Sequence, residues 1–367
     1  MEDSEFKKIE ELLKQPQQLA FSESKNTGMS KILVTGGAGY IGSHTVQALQ
    51  KNGYEVVVLD NLSSGHMENV SCPLIVGDLN DTNLLDKIFQ THNIEAVVHF
   101  AGSIIVSESV TNPEKYFQNN TICSINLANA MVRHGVKKII FSSTAAVYGN
   151  PHYMPIDEDH PKLPTNPYGE TKLSFEKVLK WYFASHGISS VSLRYFNAAG
   201  ASLDCSIGEA HPLETHLIPK ILNVAARIEP AVKIFGTDYE TFDGTAIRDY
   251  IHVVDLAQAH ILALNKIEKE PGHFSYNVGT GNGFSNKQVV DAVVEVTQRM
   301  IPIECTDRRA GDPPSLVADA TLIRNELGFE PQHSDLKTII QTAWNWHKKM
   351  FNLEDKKQKN QEISQTA

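Results

Sequence analysis

The sequence predicts an α/β fold: a Rossmann-type, doubly wound parallel sheet carrying a smaller α/β domain. Three observations point there. Short apolar runs alternate with helical patterns from Lys31 onward. Those runs are continuous rather than alternating, which suits strands covered on both faces. The rhythm then breaks after Asn197, where Pro, Gly, His and Asp become frequent through Pro271. Parallel neighbours need a crossover between them, and the intervening helices supply it.

In chain order, the first strand is expected at residues 32–35 and the first helix at 41–52. Strands at 56–60 and 74–77 follow, then a helix at 83–91 and a strand at 96–100. A helix at 116–133 leads to a strand at 139–142, and a helix at 173–185 leads to one at 190–194. Residues 30–198 would form the sheet domain. Residues 199–350 would form a second domain over the carboxyl ends of the strands, where such sheets bind ligands, with part of it returning to the sheet. Residues 1–29 and 351–367 are polar and read as extensions outside the fold, the first with a weakly amphipathic stretch at 6–13.

Of the 367 residues, 41% are hydrophobic and 21% charged, enough apolar surface for a sizeable core. Asp and Glu number 43 against 33 Lys and Arg, a net charge of −10. Such a surface repels phosphate backbones, so a nucleic-acid partner is not expected. A phosphorylated ligand must be held by a few local cations and backbone N–H groups. The cysteines, Cys72, Cys123, Cys205 and Cys305, lie far apart and suit a reducing compartment. No apolar run approaches the ~20 residues that span a bilayer, so no membrane association is expected. The start, Met1-Glu2-Asp3, has no signal-peptide character, and the expected location is the cytoplasm. His211 and His216 lie five apart with no evident third ligand, so no metal is expected.

Gly36-Gly37-Ala38-Gly39-Tyr40-Ile41-Gly42 follows the first strand and opens the first helix. Glycines at 36, 39 and 42 form a dinucleotide fingerprint: they permit a tight turn and close approach of a pyrophosphate, while the helix N-terminus offers N–H donors. Asp60 ends the second strand, where an acid can bind the adenosine ribose hydroxyls. It would repel a 2′-phosphate, and Asn61 and Leu62 offer no cation, so the expected cofactor is NAD rather than NADP. Asp78 either meets the adenine or serves as an acid in a turn.

Tyr168-Gly169-Glu170-Thr171-Lys172 puts a phenol and an ammonium four apart, on one helix face. A phenol with an ordinary pKa of ~10 is a poor base. A neighbouring Lys and a cationic nicotinamide would lower it toward neutrality. Thr144, after Phe141-Ser142-Ser143, can share a hydrogen bond with a sugar hydroxyl and the tyrosine.

With these residues the chain resembles the extended short-chain dehydrogenases/reductases, and among them the branch that inverts C4 of UDP-glucose. The likeness runs from about Lys31 to Trp346. It includes Leu59-Asp60-Asn61, Val98-His99-Phe100-Ala101-Gly102, Leu193-Arg194-Tyr195-Phe196-Asn197, Arg248-Asp249-Tyr250-Ile251-His252-Val253 and Arg308-Arg309-Ala310-Gly311-Asp312. The last two belong to a nucleotide-sugar site that generic dehydrogenases lack. The resemblance implies cofactor contacts at Tyr40, Ile41, Asn61, Leu79, Phe100, Ala101, Asn119 and Tyr195. These join the glycines, Asp60, Asp78, Tyr168 and Lys172. It also implies that Arg248 and Arg309 clamp a UDP pyrophosphate, with Asp312 on the uridine ribose and Asn197 on the sugar-phosphate. Ile234 and Phe235 would line the uracil pocket, with His216 and Leu217 in the uridine region.

The implied chemistry is removal of the C4 hydroxyl proton and of hydride from C4, rotation of the 4-keto sugar, and return of hydride and proton with C4 inverted, in galactose metabolism. The sequence departs from its relatives at Ile104, where many place a lysine that contacts the cofactor. Leu316 stands where strict glucose/galactose enzymes carry a bulky Tyr, which implies room for the N-acetyl group of UDP-GlcNAc and UDP-GalNAc. A 4,6-dehydratase would need an Asp–Glu pair where this chain has Ala145-Ala146. A UDP-glucuronate 4-epimerase would need a further cation for its carboxylate, and a non-catalytic NAD sensor would not need Thr144, Tyr168 and Lys172 together. Helices at 116–133 and 173–183 resemble the family's dimer-forming pair and imply a homodimer.

Overall fold

The computed structural model describes residues 30–309 and 311–353. The two polar extensions, except for residues 351–353, and Ala310 lie outside the described residues. Strands β1 (Lys31–Thr35), β2 (Glu55–Asp60), β3 (Leu74–Val76), β4 (Ala96–His99), β5 (Lys138–Thr144) and β6 (Ser189–Tyr195) join in one sheet. Its order is β3-β2-β1-β4-β5-β6, with a seventh strand, β10 (His273–Val278), beyond β6, and every pairing is parallel. The order reverses direction at β1, leaving a crevice between the carboxyl ends of β1 and β4.

The seventh strand, β10, lies in the stretch of which part was expected to return to the sheet, but the sequence pattern did not locate it. Only its last three residues are fully buried, so its sequence lacks the continuous apolar run of the inner strands. It comes from the stretch after residue 199 and pairs with β6 from His273↔Ser190 to Val278↔Tyr195.

Alternate side chains of each strand feed opposite layers. Ile32, Val34, Val58 and Val98 pack with Val46, Leu49, Leu256 and Leu264 on one face. Leu33, Val57, Val97 and Phe141 pack with Leu127, Met131, Phe175 and Leu179 on the other. Each such fully buried side chain contributes about 1.5–3 kcal/mol. The helix expected at 116–133 is divided: a turn at Pro113–Tyr116, a π-helical turn at Phe117–Ile122 and a regular helix at Cys123–Arg133. The extra residue of the π turn aims the buried Asn120 side chain toward Ser103 and Thr171.

The second layer of strands is smaller. β7 (Asn197–Ala199), β9 (Ile247–His252), β11 (Gly283–Ser285) and β13 (Ser315–Leu316) form one sheet, and β8 (Val232–Phe235) pairs with β12 (Ile303–Thr306). Its core includes Ile218, Ile221, Val289, Ile339 and Trp344. Asp249, wholly buried on β9, accepts from the Thr280, Gly281 and Ala318 amides and from the Thr280 hydroxyl, pinning two loops over the site. No helix among the described residues is long and apolar enough to cross a membrane.

Burial also sets how the fold responds to acid. It lowers the ring pKa of His44, His252, His260 and His347 to about 4, and that of His99 to about 3. Unfolded, these rings titrate near ~6.5. Their folded values lie below, so the stability they permit is whole above pH ~6.5 and is lost as pH falls toward 3–4. The melting temperature is therefore lower at pH ~5 than at pH ~7; equal values would contradict burial of neutral rings.

Candidate active site

The glycine turn lies at the carboxyl end of β1. Gly36 has φ +72°, and a Cβ there would stand 2.5 Å from the Ala101 amide nitrogen. A Cβ on Gly42 would overlap the Gly36 carbonyl oxygen. Only glycine lets strand, helix and the 100–101 loop approach this closely. The helix Tyr40–Lys51 begins at Gly39 with no side-chain cap and no acid in its first turn. Its first N–H groups and positive dipole end are thus left for an anion.

Asp60 accepts from the Ala38 amide at 2.9 Å and the Leu62 amide at 2.8 Å. It braces the glycine turn and keeps a lone pair on each oxygen for a hydroxyl. Burial raises its pKa, and the two amide donors oppose that rise. Asp78 is a turn-former: it accepts from the Asn80 amide at 2.9 Å and from Asn61 Nδ2 at 2.8 Å. Leu79 is buried beside it, and Ile41 packs onto the core beneath the turn. The Ala101 amide donates to Thr35 O at 3.1 Å, and the Phe100 ring meets His260 at 4.8 Å. Asn119 donates to Ser103 Oγ at 3.1 Å. Its neighbour Asn120, overlooked in the sequence, ties the loop after β4 to the tyrosine helix. It accepts from the Ser103 amide at 2.7 Å and donates to Thr171 Oγ1 at 3.2 Å.

Tyr168 and Lys172 occupy the first turns of the helix Pro167–His186, whose Asn166 cap accepts from the Gly169 amide at 2.9 Å. Tyr168 is half-buried, with Thr144 close enough to act on its hydroxyl and its ring edge-on to Tyr116 at 6.5 Å. Thr144, expected in a turn, is the last residue of β5, in register with Tyr195 of β6. The Tyr195 and Ser142 hydroxyls are hydrogen-bonded to each other. Lys172 is buried and donates to Ser142 O at 2.9 Å, with its Nζ 5.0 Å from the Phe141 ring centre. Burial lowers the Lys172 pKa to about 8. Burial also raises that of Tyr168, against the Thr144 hydrogen bond. The expected shift of the phenol toward neutrality is thus not produced by the protein's own groups, because the lysine ammonium is directed at a carbonyl.

In the second layer, Arg248 donates to the carbonyls of Ile247 and Pro313 at 2.9 and 3.0 Å and lies 3.9 Å from Asp312. It does not pair with Asp249. The exposed Arg309 guanidinium stands 4.4 Å over the Phe235 ring. Arg308, by contrast, is bound to Asp238 at 2.7 Å. A cleft of about 460 Å³ opens among Tyr239, Arg308, Arg309, Gly311 and Asp312. Asn197 donates to Asp249 O at 3.0 Å. Leu316, on β13, is in register with Arg248 of β9 and packs on the cluster of Ala145, Tyr148 and Leu173. Ile234 is buried, so it can offer a ligand only backbone; its carbonyl accepts from Thr306. Leu217 opens the helix Leu217–Ala225. His216 turns its Nδ1 to Glu209 at 2.7 Å.

That last contact corrects the expectation that His211 and His216 lack further ligands. Glu209 and Glu214 converge on them, all four donor atoms lying within 4.8 Å of one another. The folded loop, rather than sequence spacing, brings the acids in.

The sequence matches the NAD dependent epimerase/dehydratase family over residues 32–279. It is 52% identical over 318 residues to a UDP-glucose 4-epimerase of Halalkalibacterium halodurans, covering 86% of this chain and 95% of that one. The fold is similar to a UDP-glucose 4-epimerase from Brucella ovis in complex with NAD, with TM-score 0.84 and 45% identity over 86% of this chain and 98% of that one. It is also similar to the Bifidobacterium longum enzyme in complex with NAD+ and UDP, with TM-score 0.84 and 38% identity over 88% and 99%.

Proposed function

This chain belongs to the NAD dependent epimerase/dehydratase family, and from that premise we propose how it works as a UDP-glucose 4-epimerase. The observation that carries the reading is the Tyr168 phenol. It lies close enough to Thr144, at the carboxyl end of β5, for that hydroxyl to lower its pKa, and it shares a helix face with Lys172.

The uncapped helix start, the two crowded glycines and the free lone pairs of Asp60 suit NAD, whose pyrophosphate and ribose they would hold. Bound there, NAD would supply reversible hydride transfer at the sugar C4. Tyr168 takes the proton of the C4 hydroxyl and gives it back, while Thr144 orients that hydroxyl. The buried Lys172, its pKa lowered to about 8 by burial, supplies the nearby positive charge at the Ser142 end. Arg248, Arg309 and Asp312 grip UDP, with Phe235 under the base. Anchoring at the nucleotide leaves the 4-keto sugar free to turn its other face.

The reading places the enzyme in the cytoplasm and in galactose metabolism, where its four unpaired cysteines suit a reducing compartment. It also places the helices Cys123–Arg133 and Pro167–His186 in a homodimer contact, with Trp181 71% exposed beside them. A one-chain mass by light scattering would argue against that contact.

The test is incubation of purified protein with UDP-galactose, UDP-GalNAc or UDP-glucuronate, without added NAD, followed by separation of products. UDP-galactose gives UDP-glucose. UDP-GalNAc is also converted, because Leu316 is smaller than tyrosine and leaves space beside the sugar 2-substituent. No conversion of UDP-galactose refutes the assignment; conversion of that sugar alone refutes the role of Leu316.

A further inference from the structure

We propose that Glu209, His211, Glu214 and His216 form a divalent transition-metal site, best matched to zinc, that fastens the 200–216 loop across the cofactor crevice. This goes beyond the epimerase reading, which requires no metal. The four donors come from one short segment in the order Glu-x-His-x-x-Glu-x-His. His211 Nδ1 lies 3.2 Å from Glu209 Oε1 and 3.6 Å from Glu214 Oε2. His216 Nδ1 lies 2.7 and 3.1 Å from the same two carboxylates. Tetrahedral zinc with bonds of about 2.0–2.1 Å sets its ligands roughly 3.3–3.5 Å apart, so small shifts close the site. Two imidazoles and two carboxylates are the borderline ligands this ion accepts.

A second observation is independent of that spacing. His211 Nδ1 is a wholly buried nitrogen without a well-aligned hydrogen bond, although it faces both carboxylates. Two carboxylate side chains only 8% and 14% exposed also require compensating positive charge. A divalent ion brings that charge and gives the orphaned nitrogen a bond.

The loop is joined to the crevice on several sides. Tyr40, first residue of the glycine-turn helix, donates to Gly200 O at 2.6 Å, and its ring meets His211 edge-on at 6.3 Å. His66 donates to Ala210 O at 2.7 Å. Trp346 donates to Glu209 O at 3.0 Å. An ion here would therefore slow escape of the cofactor.

The experiment is elemental analysis of the full chain, made without a histidine tag and purified without chelator. Zinc uptake is then titrated against a coloured competitor, and NAD retained after dialysis with a chelator is measured. About one zinc per chain is expected, as purified or after titration, with Glu209→Gln and His211→Ala binding less than about a tenth of that. Circular dichroism checks that both variants fold. Chelation should also speed NAD loss several-fold. The site is overturned if the parent takes up no zinc, or if folded variants bind as much as the parent. The proposed fastening of the loop is overturned if NAD retention ignores the metal. Metal content is read apart from epimerisation, so either idea can fail alone.

Discussion

Tyr168→Phe lowers interconversion of UDP-glucose and UDP-galactose about 10²- to 10⁴-fold, the range of a lost general acid–base group. Affinity for the UDP-sugar stays within a few-fold. The substitution removes one oxygen and keeps the ring, so the edge-on contact with Tyr116 and the helix position survive. What disappears is the hydroxyl beside Thr144 at the end of β5. The loss should fall on kcat rather than on binding, because Arg248, Arg309 and Asp312 are untouched. Steady-state kinetics with calorimetric titration of UDP-sugar measures both; a kcat within about threefold of the parent would falsify the role of Tyr168.

Glu176→Ala destabilises the fold by about 3–5 kcal/mol, the cost of leaving a buried cation alone. Arg194 donates to Glu176 through Nε at 3.0 Å and through Nη2 at 2.6 Å, and the two side chains are only 6% and 5% exposed. Ser143 also donates to Glu176, while Arg194 Nη1 donates to the Tyr148 hydroxyl at 3.0 Å. Tyr148 in turn donates to Asn277 of β10 at 2.7 Å. Removing the carboxylate strands the whole chain of donors, with a drop in melting temperature on the order of 10 °C. Activity should fall too, since Glu176 fixes the rotation of the helix bearing Tyr168 and Lys172. Glu176→Gln keeps the shape and one acceptor and is the milder variant. A melting temperature for Glu176→Ala within about 2 °C of the parent means the ion pair is not structural.

The inner strands were legible because each is a continuous apolar run, and the glycine turn because its backbone demands leave no other residue type. The arginines could be found from their motif. What stayed hidden depends on contacts distant in sequence. β10 is half polar and joins the sheet only because β6 offers an edge. Glu176 continues the series Tyr168, Lys172 on one helix face, a signal that could have exposed it. Its partner on β6, however, is set by the crossover. Glu209 and Glu214 look like ordinary loop acids until the chain folds back on itself. The phenol's own setting is hidden for another reason: burial raises its pKa, and burial is not written in i, i+4 spacing.

The position of β10 at the end of the seven-stranded sheet has a consequence for how the protein is made. When residues 31–195 have left the ribosome, six strands can pair, but β6 presents an open edge. It stays open until His273–Val278 emerges, and Arg194 meanwhile lacks the Asn277 end of its hydrogen-bonded chain. At about 5–20 residues per second that interval lasts several seconds. During it a nascent chain exposes the kind of strand edge on which neighbours aggregate. A fragment cut near residue 199 would hold that edge permanently, because the strand that covers it comes from residues 273–278.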